Sequence, residues 1–501
     1  MNKQINDFSR GFFALLLCSG LVFSGCTEGL LDEGQEPNAL EGQVTITSEN
    51  LTYDSVTLTG HLNVAAADLS FSQVTLYYSD LESFDLNDAQ SVSITSFDKD
   101  QNFTITLTGL KSDSKYSYCI VVKMNSETIC GDILEFTTPH HPYDLAFSSA
   151  TDLSEEGSAN CYIVSKYGLY KFKAVKGNSS ESVGDIASVE TLWETFSTNY
   201  AIKVGDLVRN VQYHNGAICF ETPEDFNEGN AVIAAKDAAG TVLWSWHIWL
   251  TDEPKCQEYY NNVGIMMDRN LGATDYSPSS VSSLGLLYQW GRKDPFLNMS
   301  SNSELEELKS TLGWPSAVES DSSNGTISYA IANPTTFIRE NNQNFDWYYS
   351  GSDSTDNTRW TESGHAKSIY DPCPPGWRVP DGGENGVWAQ ALGSGDDFLW
   401  QYSASWMNFS EKFGSASGII YPLSGKLSGY GGILYHVGGI GYYWSASPYG
   451  KLVHCLSFDN GKDVLYPCVV GYEILNVFPC DRKSRANALS VRCFKEFSVG
   501  L

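Results

Sequence analysis

The chain has 501 residues, with 31 Lys and Arg against 60 Asp and Glu, a net charge of −29. That balance argues against the clustered cations that a phosphate backbone requires, so nucleic acid is not an expected partner. Hydrophobic residues at 42 % and charged residues at 18 % exclude wholesale disorder, and the length exceeds the roughly 250–300 residues that one core fills, so several domains are expected.

Residues 1–26 read MNKQINDFSRGFFALLLCSGLVFSGC. Lys3 and Arg10 precede an apolar run from Phe12 to Phe23, too short to span a bilayer and suited to a secretory signal. Ser24 and Gly25 then lead into Cys26. This step resembles the lipobox of bacterial lipoproteins, with Phe23 where that family more often has Leu. The resemblance implies that residues 1–25 are removed and that Cys26 carries the lipid. Residues 26–41 then form a tether containing Glu28, Asp32, Glu33 and Glu36. An acidic stretch behind the lipidated Cys resembles the surface-export signal of Bacteroidetes lipoproteins, although any solvated linker can share that composition. The expected location is the outer face of the outer membrane, with the lipid as anchor. Ten of the 12 Cys remain beyond Cys26, an even set that suits an oxidising compartment, and no CxxC occurs.

Residues 42–139 alternate in period two. Val56, Leu58, Leu62 and Val64 share one face, and QVTLYYS, SVSITSF, FTITLTGL and YSYCIVVKM repeat the pattern, which predicts a β-sandwich. The segment GLKSDSKYSYCIVV resembles the E–F corner of a fibronectin type III domain. That likeness makes Tyr116 the corner tyrosine and Leu110 the residue packed under it, with FTTP closing the domain. No Trp occurs before residue 193, so the usual core Trp is missing. Cys119 and Cys130 would lie on the last two strands and can pair across them.

HHPYDLAF (His140 to Phe147) is the expected joint, and two neighbouring His without a third ligand read as linker polarity. Residues 155–255 form a second β-rich unit. AAG between two apolar runs predicts a hairpin turn with Gly240 at positive φ. Trp244 and Trp246 alternate along the following strand, with His247 and Trp249 interleaved. Such rings can stack on sugars, but Trp within a strand is more often core. ANCYIV and LWSWHIW resemble a small β-domain of Bacteroidetes surface and fimbrial-type lipoproteins.

Residues 256–501 hold nine of the 13 Trp. The ordered motifs GWRVP, YWSAS and SVRC resemble the major paralogous domain of Fibrobacter and Bacteroidetes surface proteins. That family is related to C-type-lectin-like and formylglycine-generating-enzyme-like folds, so an α+β lectin-like domain is implied. The prolines of PCPPGWRVP hold the chain extended, and Trp388, Ala389 and Leu392 suggest a short helix. A Cys373–Cys493 disulfide would staple the PCPP loop to the end strand. The expected class is therefore mainly β and multidomain, with an N-terminal β-sandwich, a middle β-module and a C-terminal α+β domain.

Neither HExxH, GxSxG nor a P-loop is present, and the Gly-rich run Ser428 to Trp444 does not fit GxGxxG. His365, His436 and His454 stand apart from one another, and Cys455, Cys468 and Cys480 suit disulfides or burial better than catalysis. SDSTDN (Ser352 to Asn357) offers oxygen ligands to Ca²⁺ but no EF-hand spacing, so no metal or cofactor is assigned. The expectation is a non-enzymatic surface adhesin or ligand-binding protein for a glycan or a host or matrix protein. The alternative is an anchor or tip subunit that meets other fimbrial subunits. The segment Asn341 to Trp360 mixes rings with polar groups and follows no helical or strand period, as a binding loop can. Trp347, Tyr348, Tyr349 and Trp360 offer faces to a sugar, and Asp346, Asp353, Asp356 and Arg359 offer hydrogen bonds. The alternative there is that Trp347 and Trp360 pin a long loop. The Gly-rich loop around Tyr430 and Tyr435 is the next candidate.

Overall fold

A computed structural model describes residues 38–39, 44–63, 73–81, 83–124, 127–139, 147–197, 200–277, 279–341, 345–350, 357–361, 366–392, 401–402, 406–410, 413–414, 418–459 and 477–496. The signal segment, Cys26 and most of the tether lie outside these residues, as do His140, His141, Asp353, Asp356, His365 and Cys468. The chain is mainly β and divides into two compact units, residues 1–145 and 146–501.

The first unit is a sandwich of two layers, antiparallel except where Asn38–Ala39 pairs Glu127–Cys130 in parallel. Val44–Glu49, Ser55–Leu62 and Asn102–Thr108 form one sheet. In the other, Gln73–Ser79 lies between Gln90–Ile94 and Lys115–Met124. The long Lys115–Met124 pairs Leu134–Thr137 at its start and Glu127–Cys130 at its end. Period two explains the core: Val56, Leu58, Leu76, Leu107, Ile120 and Val122 turn inward from both sheets. Tyr116 is a tyrosine corner. Its hydroxyl accepts the Lys111 N–H at 2.9 Å, its ring stacks on Phe136 at 5.3 Å, and Leu110 is buried in the same core. Thr138 of FTTP secures that corner from the other side, donating to the Lys111 carbonyl at 2.6 Å.

The Cys119–Cys130 pairing is not made; both are thiols. Cys130 stands opposite Val121, and Cys119 opposite Tyr77. Cys119 is therefore a diagonal neighbour of Cys130, and diagonal residues lie about 7–8 Å apart, beyond the usual disulfide span.

In the second unit, residues from the middle module build two sheets around a shared core. Gly168–Lys173, Ala217–Thr222 and Arg209–His214 belong to one. Cys161–Val164, Val242–Leu250, Gly229–Lys236 and Ser188–Phe196 follow in order in the other. The hairpin turn is as the sequence predicts: Gly240 has φ +80° and its N–H reaches the Asp237 carbonyl at 3.0 Å. Strand Val242–Leu250 is buried on both faces. Trp244, Trp246 and Ile248 fill the core between the two sheets, while Trp249 points into the core of the C-terminal module. Trp244, Trp246 and Trp249 therefore present no sugar platform. Polar ties cross the same boundary: Asn160 Nδ2 donates to the carbonyls of Ile369 and Asp371, and Ser245 Oγ donates to Asp294. These ties and the shared core explain why residues 146–501 form a single unit.

The C-terminal module is built on a long mixed sheet. Leu434–Val437, Ser424–Leu427, Ala488–Ser490, Ile440–Tyr449, Leu452–Asp459 and Val477–Ser484 follow in order across it. Alternation along Ile440–Tyr449 sends Tyr442 and Trp444 into one core and Tyr443 into another. The start and end of the module meet in a small sheet, where Gly264–Met267 and Trp377–Arg378 both pair Phe494–Lys495. Next to that sheet Cys373 and Cys493 are bonded to each other. Its helices are short: Asn302–Thr311, Ile327–Ala332 and Val387–Leu392, the last carrying the expected Trp388.

Candidate functional site

Of the aromatic segment that ends at Trp360, Asp346, Trp347, Arg359 and Trp360 belong to the core. Trp347 and Trp360 are 1 % and 0 % exposed, so neither has a face for a ligand. Their indole N–H groups donate to the carbonyls of Trp290 and Arg292, at 2.8 and 3.1 Å. Asp346 and Arg359 are equally buried and form a bidentate pair at 3.0 and 2.5 Å. Arg359 and Arg485 each lie over the Trp290 ring, at 4.8 and 4.7 Å. Tyr348 and Tyr349 are half-buried; the Tyr348 N–H turns back to Asp346 Oδ1 and the Tyr349 N–H to the Gly325 carbonyl. The correction has a physical reason. Two indoles with backbone acceptors and a neutralised charge pair can be buried without leaving polar groups unmet, so the lack of a period did not signify exposure.

The Gly-rich turn has the opposite fate. Tyr430, Ile433 and Tyr435 are 62 %, 46 % and 47 % exposed. Gly431 and Gly432 fold the turn tightly on the Ser428 carbonyl, at 3.2 and 2.8 Å. Gly432 has φ +66°, and a Cβ there would stand 3.0 Å from the Phe337 ring, so close approach to that ring requires glycine. Beside the turn lies helix Asn302–Thr311. Asn302 fixes it, since its Oδ1 accepts the Leu434 N–H at 2.7 Å and its Nδ2 donates to the Leu434 carbonyl at 2.8 Å.

Between helix and turn opens a cleft of about 290 Å³. Phe296, Phe337 and Trp314 give it an aromatic lining, and Lys309, Ser310 and Thr335 add polar groups. Trp314 packs edgewise on Phe296 at 6.1 Å and tilts against Trp193 of the middle module at 5.9 Å. Its indole N–H is buried without a hydrogen-bond acceptor among the described residues. That distinguishes it from Trp244, Trp249, Trp290, Trp347, Trp360 and Trp444, which all have one. Trp314 is not among the candidates read from the sequence. Its signal was the GWP triplet: Gly313, at φ +66°, and Pro315 end the helix and hold the ring at the exit.

Other polar clusters are structural. His247 is buried, with Nε2 2.8 Å from Asn230 Oδ1 and Nδ1 unpartnered among the described residues; burial pushes its pKa down to about 3, so it is neutral. A wider recess of about 750 Å³ lies between the two modules of the second unit, with Lys367 at its wall. The Lys367 ammonium donates to the carbonyls of Cys373 and Pro374, at 2.7 and 3.0 Å, and thus secures the PCPP loop. Asp371 accepts the Cys373 and Val379 N–H groups in the same place, and burial raises its pKa to about 6. The Cys455 thiol is buried and pushed well above its usual range, which removes it as a nucleophile at neutral pH. Among the described residues no group of three or more His, Cys, Asp or Glu could hold a metal ion.

No protein-family model matches the chain, and no curated protein matches it. Solved structures similar to it cover about a fifth of its length. A computationally redesigned β-sandwich protein is 19 % identical over 19 % of this chain and 92 % of its own, with a TM-score of 0.16. The sensor domain of the anti-sigma factor RsgI4 of Pseudobacteroides cellulosolvens is 18 % identical over 20 % of this chain and 94 % of its own, with a TM-score of 0.17. A fibronectin type III domain from the human KIAA0970 protein is 16 % identical over 20 % and 74 %, with a TM-score of 0.15. The sandwich assignment rests on the strand order and the Tyr116 corner described above.

Proposed function

We propose that this protein is a non-enzymatic, lipid-anchored binding protein of the bacterial outer surface, an adhesin whose C-terminal, lectin-like module takes a glycan or a host or matrix protein. One observation carries the reading. A cleft lined by Phe296, Phe337 and Trp314 is bordered by a turn that leaves Tyr430 and Ile433 in solvent. Exposed rings around an aromatic recess suit the flat apolar faces of sugars or an inserted side chain. The lipobox-like Ser24-Gly25-Cys26 step, the acidic tether and the fibronectin type III-like sandwich supply, in that order, an anchor, a linker and a spacer.

A soluble chain beginning at Thr27 tests the reading on a glycan and matrix-protein array. Binding that disappears in the Tyr430→Ser, Ile433→Ser double variant supports it. An array without a hit, or a hit that the double variant leaves intact, argues against it. Palmitate labelling of the full chain tests the anchor separately, because Cys26→Ala should abolish the label. High-mass ladders on gels, with co-purified fimbrial subunits, would favour the structural alternative over an adhesin.

A further inference from the structure

The chain contains four Asn-Gly steps, at Asn215, Asn324, Asn385 and Asn460, the last outside the described residues. An Asn followed by glycine carries its own nucleophile: the next backbone nitrogen lies within reach of the side-chain Cγ, and no Cβ shields it. What that nitrogen does in the fold decides whether it can attack. Gly325 and Gly386 are both buried, and their N–H groups donate to the carbonyls of Asp321 and Gly383, each at 2.9 Å. Asn385 itself is exposed, so exposure of the Asn alone does not separate the sites.

Asn215 and Gly216 form the two-residue turn between Arg209–His214 and Ala217–Thr222, where His214 stands opposite Ala217. Their φ angles are +47° and +78°, as an Asn-Gly hairpin turn requires. Both residues are exposed, and a Cβ at Gly216 would meet nothing within 4 Å. The Gly216 carbonyl accepts the Ala174 N–H at 2.9 Å, which holds the turn, whereas the Gly216 N–H makes no hydrogen bond among the described residues. Asn215 Nδ2 lies 2.7 Å from His214 Nε2. Imidazole is the side chain that most readily passes a proton near neutral pH, and here it touches the nitrogen that would leave.

We propose that Asn215 is a self-modification site, at which the Gly216 nitrogen displaces the side-chain amide with His214 as general acid. The Gly216 nitrogen gives its proton to water and bonds to Asn215 Cγ. As Cγ becomes tetrahedral, Nδ2 regains its lone pair, takes a proton from His214 and leaves as ammonia when the Cγ–Nδ2 bond breaks. The proton given to water restores His214. A second water opens the cyclic imide at either carbonyl, giving Asp or isoaspartate. Either product places a carboxylate beside His214, and isoaspartate adds one carbon to the backbone of a turn only two residues long. The tip of this hairpin therefore changes with the age of the chain. None of its residues lines the aromatic cleft, so this site and the binding reading stand or fall separately.

The test incubates the soluble chain beginning at Thr27 at neutral pH and follows each Asn-Gly step by peptide mapping and mass spectrometry, with isoaspartate separated from Asp by retention. Asn215 should lose its amide about tenfold faster than Asn324 and Asn385, the factor that one hydrogen bond on the nucleophile can withhold. His214→Gln keeps a hydrogen-bonding side chain but supplies no acid. It should slow Asn215 at least about tenfold, since general-acid assistance is of that order or larger, and leave Asn324 and Asn385 at their parent rates. Should that variant lose its fold by circular dichroism, His214→Phe serves in its place, with the same slowing expected. Loss of amide at Asn215 no faster than at Asn385, or at the parent rate in the folded His214 variant, overturns the proposal.

Discussion

Two segments of the C-terminal module look alike as sequence and end in opposite places. Phe345–Tyr349, with Arg359 and Trp360, is aromatic, polar and without period; so is the turn from Ser428 to Tyr435. Asp346, Trp347, Arg359 and Trp360 of the first became core, and Tyr430, Ile433 and Tyr435 of the second a solvent-exposed rim. What separates them is whether their polar groups find partners inside the core. Asp346 meets Arg359, and each indole N–H finds a carbonyl, so the rings can be buried without penalty. The turn has glycines that bend the chain tightly, and its rings stay largely in solvent, with the Tyr430 hydroxyl at Glu340. Aromatic content without period therefore says nothing about exposure until the fate of each polar group is known.

The largest effect should come from breaking the buried pair in the first segment. Asp346→Ala would leave Arg359 and Arg485 facing Trp290 without their carboxylate. A loss of about 3–5 kcal/mol is expected, because an uncompensated charge would remain in the interior. Urea unfolding followed by Trp fluorescence measures it. A change near zero would mean that the pair does not determine the burial of the segment.

Next in size is the covalent closure. Opening the Cys373–Cys493 bond in a double Ser variant frees a loop spanning 120 residues. About 2–5 kcal/mol of the stability of residues 146–501 should be lost, which compares a segment held by a bond with one held by packing. Calorimetry of the oxidised parent against the variant reads the difference. Unchanged melting would show that Lys367 and the paired end strands suffice to hold the PCPP loop.

The difference between the two segments also marks what could be read from sequence. The sandwich was legible because aliphatic alternation and the Tyr116 corner are local signals. The Gly240 turn was legible for the same reason. The Cys119–Cys130 pairing was misread because register, not strand adjacency, decides whether two sulfurs meet, and register is not written locally. Trp347 and Trp360 were misassigned because their acceptors, the carbonyls of Trp290 and Arg292, lie more than fifty residues away in sequence. The cleft could not be located because Trp314, Phe337 and Gly432 come together only through the tertiary fold. Only its Gly-rich rim was marked.

A smaller, pH-dependent effect concerns the boundary between the modules. His247 holds Asn230 with Nε2 and buries a bare Nδ1, so protonation would add a second buried donor without an acceptor. Its folded pKa of about 3 lies below the usual 6.5. Between those values the unfolded chain binds the extra proton, so stability rises with pH across that window and is lost as pH falls through it. Asp371 acts in the opposite sense, because its folded pKa of about 6 lies above the usual 3.8 and favours the folded state toward acid. His247→Gln should remove up to one proton from the slope, about 1.4 kcal/mol per pH unit, measured as unfolding free energy from pH 4 to 7. An unchanged slope would show that His247 does not titrate on unfolding.

The smallest stability effect, and the sharpest contrast with Asp346→Ala, belongs to the turn. Tyr430 and Ile433 are 62 % and 46 % exposed, so their replacement together by Ser removes little buried surface. Substitutions of that kind usually stay within about 0.5 kcal/mol. The glycines that shape the turn and the Asn302 clamp on Leu434 are untouched by the change. The cleft should therefore keep its form while losing the apolar rim through which a ligand would enter. Urea unfolding near parent values, with loss of whatever binding the array reveals, is the expected pair of results. A marked fall in stability would place these side chains with Trp347 and Trp360 as packing, and the contrast between the two segments would then fail.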